Sequence, residues 1–565
     1  MLNRLPFRKL SSGLALAALL VHPTAAQTPL KEVIDVRVTN VEVIATDSKG
    51  NHVPGLTRDD FELYENGKLQ PITNLFEANA GASAAASASA SNDAASKSAL
   101  PRRIVLYLDD STLMPNNRKP VIPVLKKLVA DTMTPADQMM IVTFNQSSKT
   151  RLSWTNDPAA VQSALDTVGQ EPGGGRTRQA ARNRVENDIR NVVNEDQVNS
   201  HSPNAPPSPD FRVLLSSVRN YATSMTHDFG LSAGALESLF GSLAGVDGRK
   251  IVLVVSESFP TRPGSDVFGY LENVRNQILS GSGSAGLQRS ARTINVIAEA
   301  SEFNTNETIL MLGRIANAAG VTIYALDPDT GGGSLSGNVE QAAPQQMSGV
   351  AAGTSEVDGL QILARATGGV AWVGARPAIA VEKIRADLEN YYSIGYRATT
   401  GGGAERTIEV KPKRAGVRVR AQKNIVFRSA ESEMPGRVTS NLQSPQTNDL
   451  GITLQVAGEV VSDGDTRRVP VHVLIPARNL TILPEGDVVT GGFSVYVCTA
   501  GGTAAPSAVH RQTHEIRWPP GALAQVKDRK MTFALDVVLD KGRDQISVGV
   551  LDHRSHATGF SKISM

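Results

Sequence analysis

Hydrophobic and polar positions change their period several times along this chain. Between residues 33 and 77, Val36, Val38, Val41, Val43 and Ile44 fall in β-branched runs broken by polar residues, a spacing that predicts short strands. Asp47 to Gly50 reads as a turn between two of them. Asn66-Gly67 reads as a tight hairpin turn, because both central residues of a type I′ turn need positive φ. Residues 78–98 are almost all Ala, Ser, Gly and Asn. A segment with so little to bury predicts a flexible linker, placed at 78–100.

From residue 101 the period changes. Residues 104–108 (IVLYL) form a continuous apolar run, as expected of a strand covered on both faces. A helical pattern follows over 119–132, with Val121, Ile122, Val124, Leu125, Leu128 and Val129 on one side. Residues 139–144 predict the next strand, and Asn156, Asp157 and Pro158 the start of a helix running to about Val168. Residues 251–255 and 321–326 predict two more buried strands. A helix over 308–319 closes at Gly320, and one over 360–367 closes at Gly368 and Gly369. Strands alternating with helices predict an α/β fold, a doubly wound and mostly parallel sheet spanning 101–390. Residues 170–210 (polar, rich in Arg, Asn and Pro) and 261–305 (rich in Gly and Ser) read as surface excursions at the loop ends of that sheet.

After residue 390 the pattern returns to strands. Residues 391–428 predict a β extension that packs with the 33–77 unit, making the α/β domain an insertion in a β-sandwich. A polar stretch at 429–448 reads as a second linker. Residues 449–565, with turn signals at 462–464, 484–486 and 541–542, predict a C-terminal β-sandwich.

Composition narrows the function classes. Lys and Arg number 57 against 55 Asp and Glu, so the net charge is only +2. That balance, without zinc-type cysteine spacing or a dense basic stretch, argues against nucleic acid as the partner. The single cysteine, Cys498, excludes an internal disulfide and reads as a small buried hydrophobe. Residues 1–26 carry the pattern of a signal peptide. Arg4, Arg8 and Lys9 precede the apolar run 14–21, and Thr24, Ala25 and Ala26 offer a cleavage site. Export to the periplasm or the cell exterior is expected, with no transmembrane segment in the mature chain.

Asp109, Asp110 and Ser111 directly follow the first buried strand. In an open parallel sheet, ligands bind beyond the carboxyl ends of the strands. Carboxylate and hydroxyl oxygens there suit a hard divalent cation. The arrangement resembles the metal-ion-dependent adhesion site of the A domains of von Willebrand factor and integrins, which carry Asp-x-Ser-x-Ser at this point. Asp109 and Ser111 match, but Leu113 stands where the second Ser belongs, and an isobutyl group cannot coordinate a metal. Residues 173–177 (GGGRT) resemble the family's threonine loop, and Glu257 occupies the place of its later aspartate. The resemblance therefore implies Mg2+ or Mn2+ on Asp109, Ser111, Thr177 and Glu257, one protein ligand short. Without that resemblance, Asp109 and Glu257 read as caps of neighbouring loops and helix N-termini.

A wider resemblance covers most of 33–428. Segments 55–67 (GLTRDDFELYENG), 247–257 (DGRKIVLVVSE), 316–327 (ANAAGVTIYALD), 367–369 (TGG) and 391–396 (YYSIGY) occur in this order. Together they resemble the von Willebrand factor A-related proteins abundant in acidobacteria. This implies an exported protein with an A domain flanked by β units.

Two rival chemistries compete. Residues 230–234 (GLSAG) match the Gly-x-Ser-x-Gly elbow of serine hydrolases, which would make Ser232 a nucleophile, with Asp327 and a histidine such as His472 as partners. The pairs His510/His514 and His553/His556 invite a zinc reading, but they lie in β-rich sequence, where helical spacing does not align ligands. The balance favours a non-enzymatic adhesion or envelope-scaffold protein binding a protein or matrix partner through a degenerate metal-dependent site. A metal-independent structural envelope protein is the first alternative and a secreted serine hydrolase the second.

Overall fold

The computed structural model describes residues 37–79, 101–199, 210–329, 358–373, 376–398, 405–426, 429–443, 446–501 and 506–565. The expected signal peptide, and all of the 78–100 linker beyond its first two residues, lie outside the described residues.

At the centre is a six-stranded sheet. Its spatial order is Ala371–Trp372, Val321–Leu326, Arg249–Val255, Arg102–Asp109, Gln138–Asn145, Ser147–Thr155. The first five are parallel and the last, joined by a tight turn, is antiparallel. In chain order this is 3-2-1-4-5-6 read from the antiparallel edge, the doubly wound topology. The strands are apolar on both faces because helices cover both. Val105, Tyr107, Val252 and Ile323 face helices Phe211–Leu243, Asn306–Ala318 and Asp358–Ala366. Ile104, Leu106, Leu253 and Tyr324 face helices Pro115–Thr132, Pro158–Gln170 and Pro377–Glu389. Ser147–Thr155 has no apolar run and lies exposed along the edge, so its sequence carried little strand signal.

The chain reverses its direction of winding between Arg102–Asp109 and Arg249–Val255. The first strand's neighbours are the second on one side and the fourth on the other. That switch point opens a crevice at the strands' carboxyl ends.

The two excursions differ from the surface loops expected. Residues 170–210 contain the helix Gly175–Asn199, and 261–305 contain Ser265–Gln277, Ala285–Arg292 and Val296–Ser301. With the first half of Phe211–Leu243 they enclose their own core, including Ile189, Phe211, Val218, Phe268, Leu271, Leu287 and Val296. Phe211–Leu243 has 33 residues, or about 50 Å at about 1.5 Å per residue. The seven-residue strand it leads into spans only about 23 Å. The helix therefore overshoots the sheet at the strands' carboxyl ends, and a helical lobe is built on the overshoot.

Two β units flank this domain. Arg37–Thr46 pairs with both Asn390–Ala398 and Arg418–Ala421, and Phe61–Glu65 pairs with Glu405–Pro412. Segments on either side of the α/β domain thus share sheets, over a core of Val41, Val43, Phe61, Leu63, Tyr392, Ile394 and Tyr396. Asn66 and Gly67 have φ of 50° and 75°, the pair of positive angles that their hairpin turn requires. At the carboxyl end, two antiparallel sheets enclose Val469, Val471, Val473, Phe493, Val548 and Val550.

The stretch read as a linker at 429–448 is mostly the helix Ala430–Gln443. Met434, Val438 and Leu442 form one stripe buried against Tyr496, Leu551 and Phe560. On the α/β side, Ser440 donates to the Ser242 carbonyl at 2.5 Å. A Cβ at Gly245 would stand 2.4 Å from the Arg437 Cα, so the backbones touch there. This helix packs against both domains; its polar composition reflected the face left to solvent.

Candidate switch-point site

Three loops converge at the switch point, each held by backbone hydrogen bonds. Ser111 N donates to the Phe144 carbonyl at 3.1 Å, and Ser256 N to the Leu326 carbonyl at 3.1 Å. Gly174 N donates to the Asp110 carbonyl at 2.5 Å, and Gly175 N to that of Leu113 at 3.2 Å. The glycines are required by this close approach. A Cβ at Gly173 would lie 2.4 Å from the Leu113 carbonyl oxygen, and one at Gly175 2.5 Å from that of Thr112.

Asp109 is 1% exposed. Its Oδ1 accepts from the Ser111 hydroxyl at 2.5 Å and its Oδ2 from the Ser256 hydroxyl at 2.9 Å. Burial pushes its carboxyl up to about 6, against the opposing effect of those hydroxyls and of the Arg178 charge. The Thr112 hydroxyl lies 3.0 Å from that of Ser256 and 3.1 Å from the Asp109 carbonyl, and accepts from Glu257 N at 3.2 Å. Glu257 accepts from Met114 N at 2.9 Å, at the start of helix Pro115–Thr132. Burial pushes its carboxyl up to about 7, opposed by that bond and by Asn117, and reinforced by the charges of Asp327 and Asp329. Asp110 pairs with the buried Arg118, through Nε to Oδ1 at 2.7 Å and Nη2 to Oδ2 at 3.3 Å. Arg118 also donates to the Glu171 carbonyl, tying the site to the loop that carries the glycines.

Of the residues expected to hold a cation, the structure brings Asp109 and Ser111 together. Glu257 reaches Asp109 only through the hydroxyls of Thr112 and Ser256, and its carboxylate caps a helix. Thr177 lies exposed in the first turn of Gly175–Asn199, where its N donates to the Gly174 carbonyl. Leu113 is fully buried in the core beneath the site. These donors do not fit the ion site that the resemblance implies. Both Asp109 oxygens are engaged by hydroxyl protons, the position of the second serine belongs to the core, and the threonine faces solvent. Thr112, Ser256 and Arg118 were not singled out from the sequence. Ser256 carried a signal in its place one residue beyond a buried strand.

The rival sites are not assembled. Ser232 lies inside the continuous helix Phe211–Leu243, buried toward Tyr107, and not on a strand-to-helix turn. His514 is packed against Phe493 and Phe533, and burial pushes its pKa down. His510 is exposed, and His553 bonds the Ser494 hydroxyl at 2.8 Å. Among the described residues, no group of three or more His, Cys, Asp or Glu side chains is arranged to hold a metal ion. Cys498 is buried. No helix among the described residues is long and apolar enough to cross a membrane.

No family model and no curated protein matches the chain. Among solved structures it is similar to proximal thread matrix protein 1 from the mussel byssus, at 11% identity over 40% of this chain, with a TM-score of 0.17. That match spans only 36% of the byssus protein's length. It is similar to a von Willebrand factor type A protein from Catenulispora acidiphila at 8% identity, over 61% of this chain and 72% of that one, with a TM-score of 0.23. It is also similar to three N-terminal domains of the type V pili tip protein Mfa5 from Porphyromonas gingivalis, at 7% identity over 94% and 77% of the two chains, with a TM-score of 0.25. Likenesses at these scores carry no argument about the site, and the α/β assignment rests on the strand order itself.

Proposed function

We propose that this chain is an exported, non-enzymatic binding protein, an adhesion or envelope-scaffold component, whose α/β domain presents the carboxyl ends of its strands to a protein partner. The observation that carries this reading is the siting of the helical lobe. Both large insertions build onto the carboxyl-end side of the sheet, beside the switch point where Asp109, Thr112, Ser256 and Glu257 converge. Binding residues concentrate on the connecting segments that a rigid scaffold carries, and function lives in sites grafted onto a fold. Export rests on the pattern of residues 1–26. Recognition proceeds through direct polar contacts, since the donors at Asp109 do not fit a bridging ion.

Site-specific photo-crosslinking in the native cell tests this. A photoreactive residue at Thr177, exposed beside the site, is expected to capture a discrete protein. The same residue at Ala136, exposed just before strand Gln138–Asn145 at the opposite end, is expected not to. Equal capture at both positions, or none at Thr177, would overturn the reading.

A further inference from the structure

Beside the switch point lies a cavity of about 410 Å3, lined by Asp110, Thr143, Asn145, Lys149, Arg151, Glu171 and Pro172. That size falls within the roughly 300–1,000 Å3 of ligand sites. We infer that this cavity binds a carboxylate, the side chain of an acidic residue in the protein partner, without a metal ion. The inference rests on the binding reading above and names the chemistry of the partner.

The argument is one of charge and pre-positioning. Two of the lining carboxylates are already matched: Asp110 by the buried Arg118, and Glu171 by Arg151 Nη2 at 2.5 Å. Arg151 is further held by Nε donating to the Thr143 hydroxyl at 2.8 Å. Two such anchors fix its planar guanidinium and leave Nη1 without a protein acceptor among the described residues. A guanidinium held in place loses little entropy when it takes a further oxygen. Lys149 is exposed and makes no ion pair among the described residues, so its ammonium is the one uncompensated charge of the lining. A monoanion neutralises that charge. A phosphate dianion would bring surplus negative charge against Asp110, Glu171 and the neighbouring Asp109. A cation would meet carboxylates that are already paired.

The backbone here is held in an uncommon shape. Asn145 pairs with Ser147 across a turn whose only residue, Gln146, has φ of 62°. The left-handed region is rarely used by glutamine, and such positions gather at binding sites. This turn carries Asn145 and leads into the strand that carries Lys149 and Arg151.

The test uses the purified full chain and a fluorescein-labelled decaglutamate peptide, followed by fluorescence anisotropy in EDTA and then in Mg2+. Saturable binding is expected in EDTA and unchanged by Mg2+. Lys149→Glu is expected to weaken it at least tenfold, and Lys541→Glu, a reversal at an exposed lysine of the C-terminal domain, to leave it unchanged. No saturable binding, dependence on Mg2+, or equal weakening by both variants would overturn the inference. Failure here with capture retained at Thr177 removes only the carboxylate chemistry. Peptide binding without capture at Thr177 removes the partner reading instead.

Discussion

The two ends of the parallel sheet use their charged groups differently. At the amino end, Arg249 is 3% exposed. It donates to Glu42 at 2.7 Å and to the Leu388 carbonyl at 3.0 Å, and stacks 4.0 Å over the Tyr391 ring. Beside it Arg420 pairs with Asp387 at 2.8 Å. Glu42, Tyr391 and Arg420 come from the β unit, so these bonds join two domains. A Cβ at Gly368 would lie 2.7 Å from Ala421, so the two backbones touch there. At the carboxyl end the buried Arg118 also pairs with Asp110, but Asp109 beside it accepts from the Ser111 and Ser256 hydroxyls, Glu257 accepts from Met114 N, and Lys149 meets no carboxylate among the described residues. Cations paired with carboxylates hold a joint. A buried acid with hydroxyl partners and an unmatched ammonium mark a surface left for something else. The same sheet supplies both because only its amino end is covered by the flanking β strands.

The largest effect expected from breaking this contrast is Arg249→Ala. It strands Glu42 and removes the stack on Tyr391, so a loss of about 3–5 kcal/mol is expected, read as a lowered urea midpoint. A loss under 1 kcal/mol would show that the amino-end joint is not held by this arginine. Next comes Leu113→Ser, which restores the resembled metal motif at the expense of the core. A loss of about 3 kcal/mol is expected, with no Mg2+-dependent rise in Tm. A saturable rise would mean that a single side chain had closed the ion site.

The third prediction concerns pH. Below 3.8 Asp109 is protonated folded or unfolded, while from there to about 6 only the folded state keeps the proton. The folded state therefore binds more protons across this window, and the contribution of Asp109 falls as pH rises through about 6. A shift of this size corresponds to at most about 3 kcal/mol. Glu257 acts in the same direction up to about 7. Asp109→Asn is expected to flatten the fall in chemical-denaturation midpoint between pH 4 and 6, and an unchanged slope would contradict it. The smallest effect belongs to Lys149→Glu. Stability is expected to change by less than about 0.5 kcal/mol despite the loss in peptide binding, and a large Tm shift would recast Lys149 as structural.

Residues whose local pattern matches their final surroundings were legible from the chain. The run 104–108 became the centre of strand Arg102–Asp109, and Asp157 caps its helix by accepting from Ala159 N at 2.9 Å. Gly320, closing the helix before Val321–Leu326, has φ of 66°. The position of Asp109 was legible too, because strand alternation alone placed it at a carboxyl end. Less legible were elements whose partners lie far off in sequence. Ile189 and Leu287 share one core across nearly a hundred residues, and helix Gly175–Asn199 is polar on every side but the one that meets it. Met434, Val438 and Leu442 are spaced as a helical stripe, yet three apolar residues among polar ones signal a helix only once the sheet beneath them is known.

By itself the sequence determined the long buried strands of the central sheet and the helices between them, the glycine turns, and the loss of one coordinating group at Leu113, since each depends on residues within a few positions of one another. Only the tertiary structure decided that Thr177 faces solvent, that the Ser256 hydroxyl meets Asp109, and that Lys149 stands beside paired charges. Those outcomes turn on which side chains from distant segments meet, and on how much water their meeting excludes.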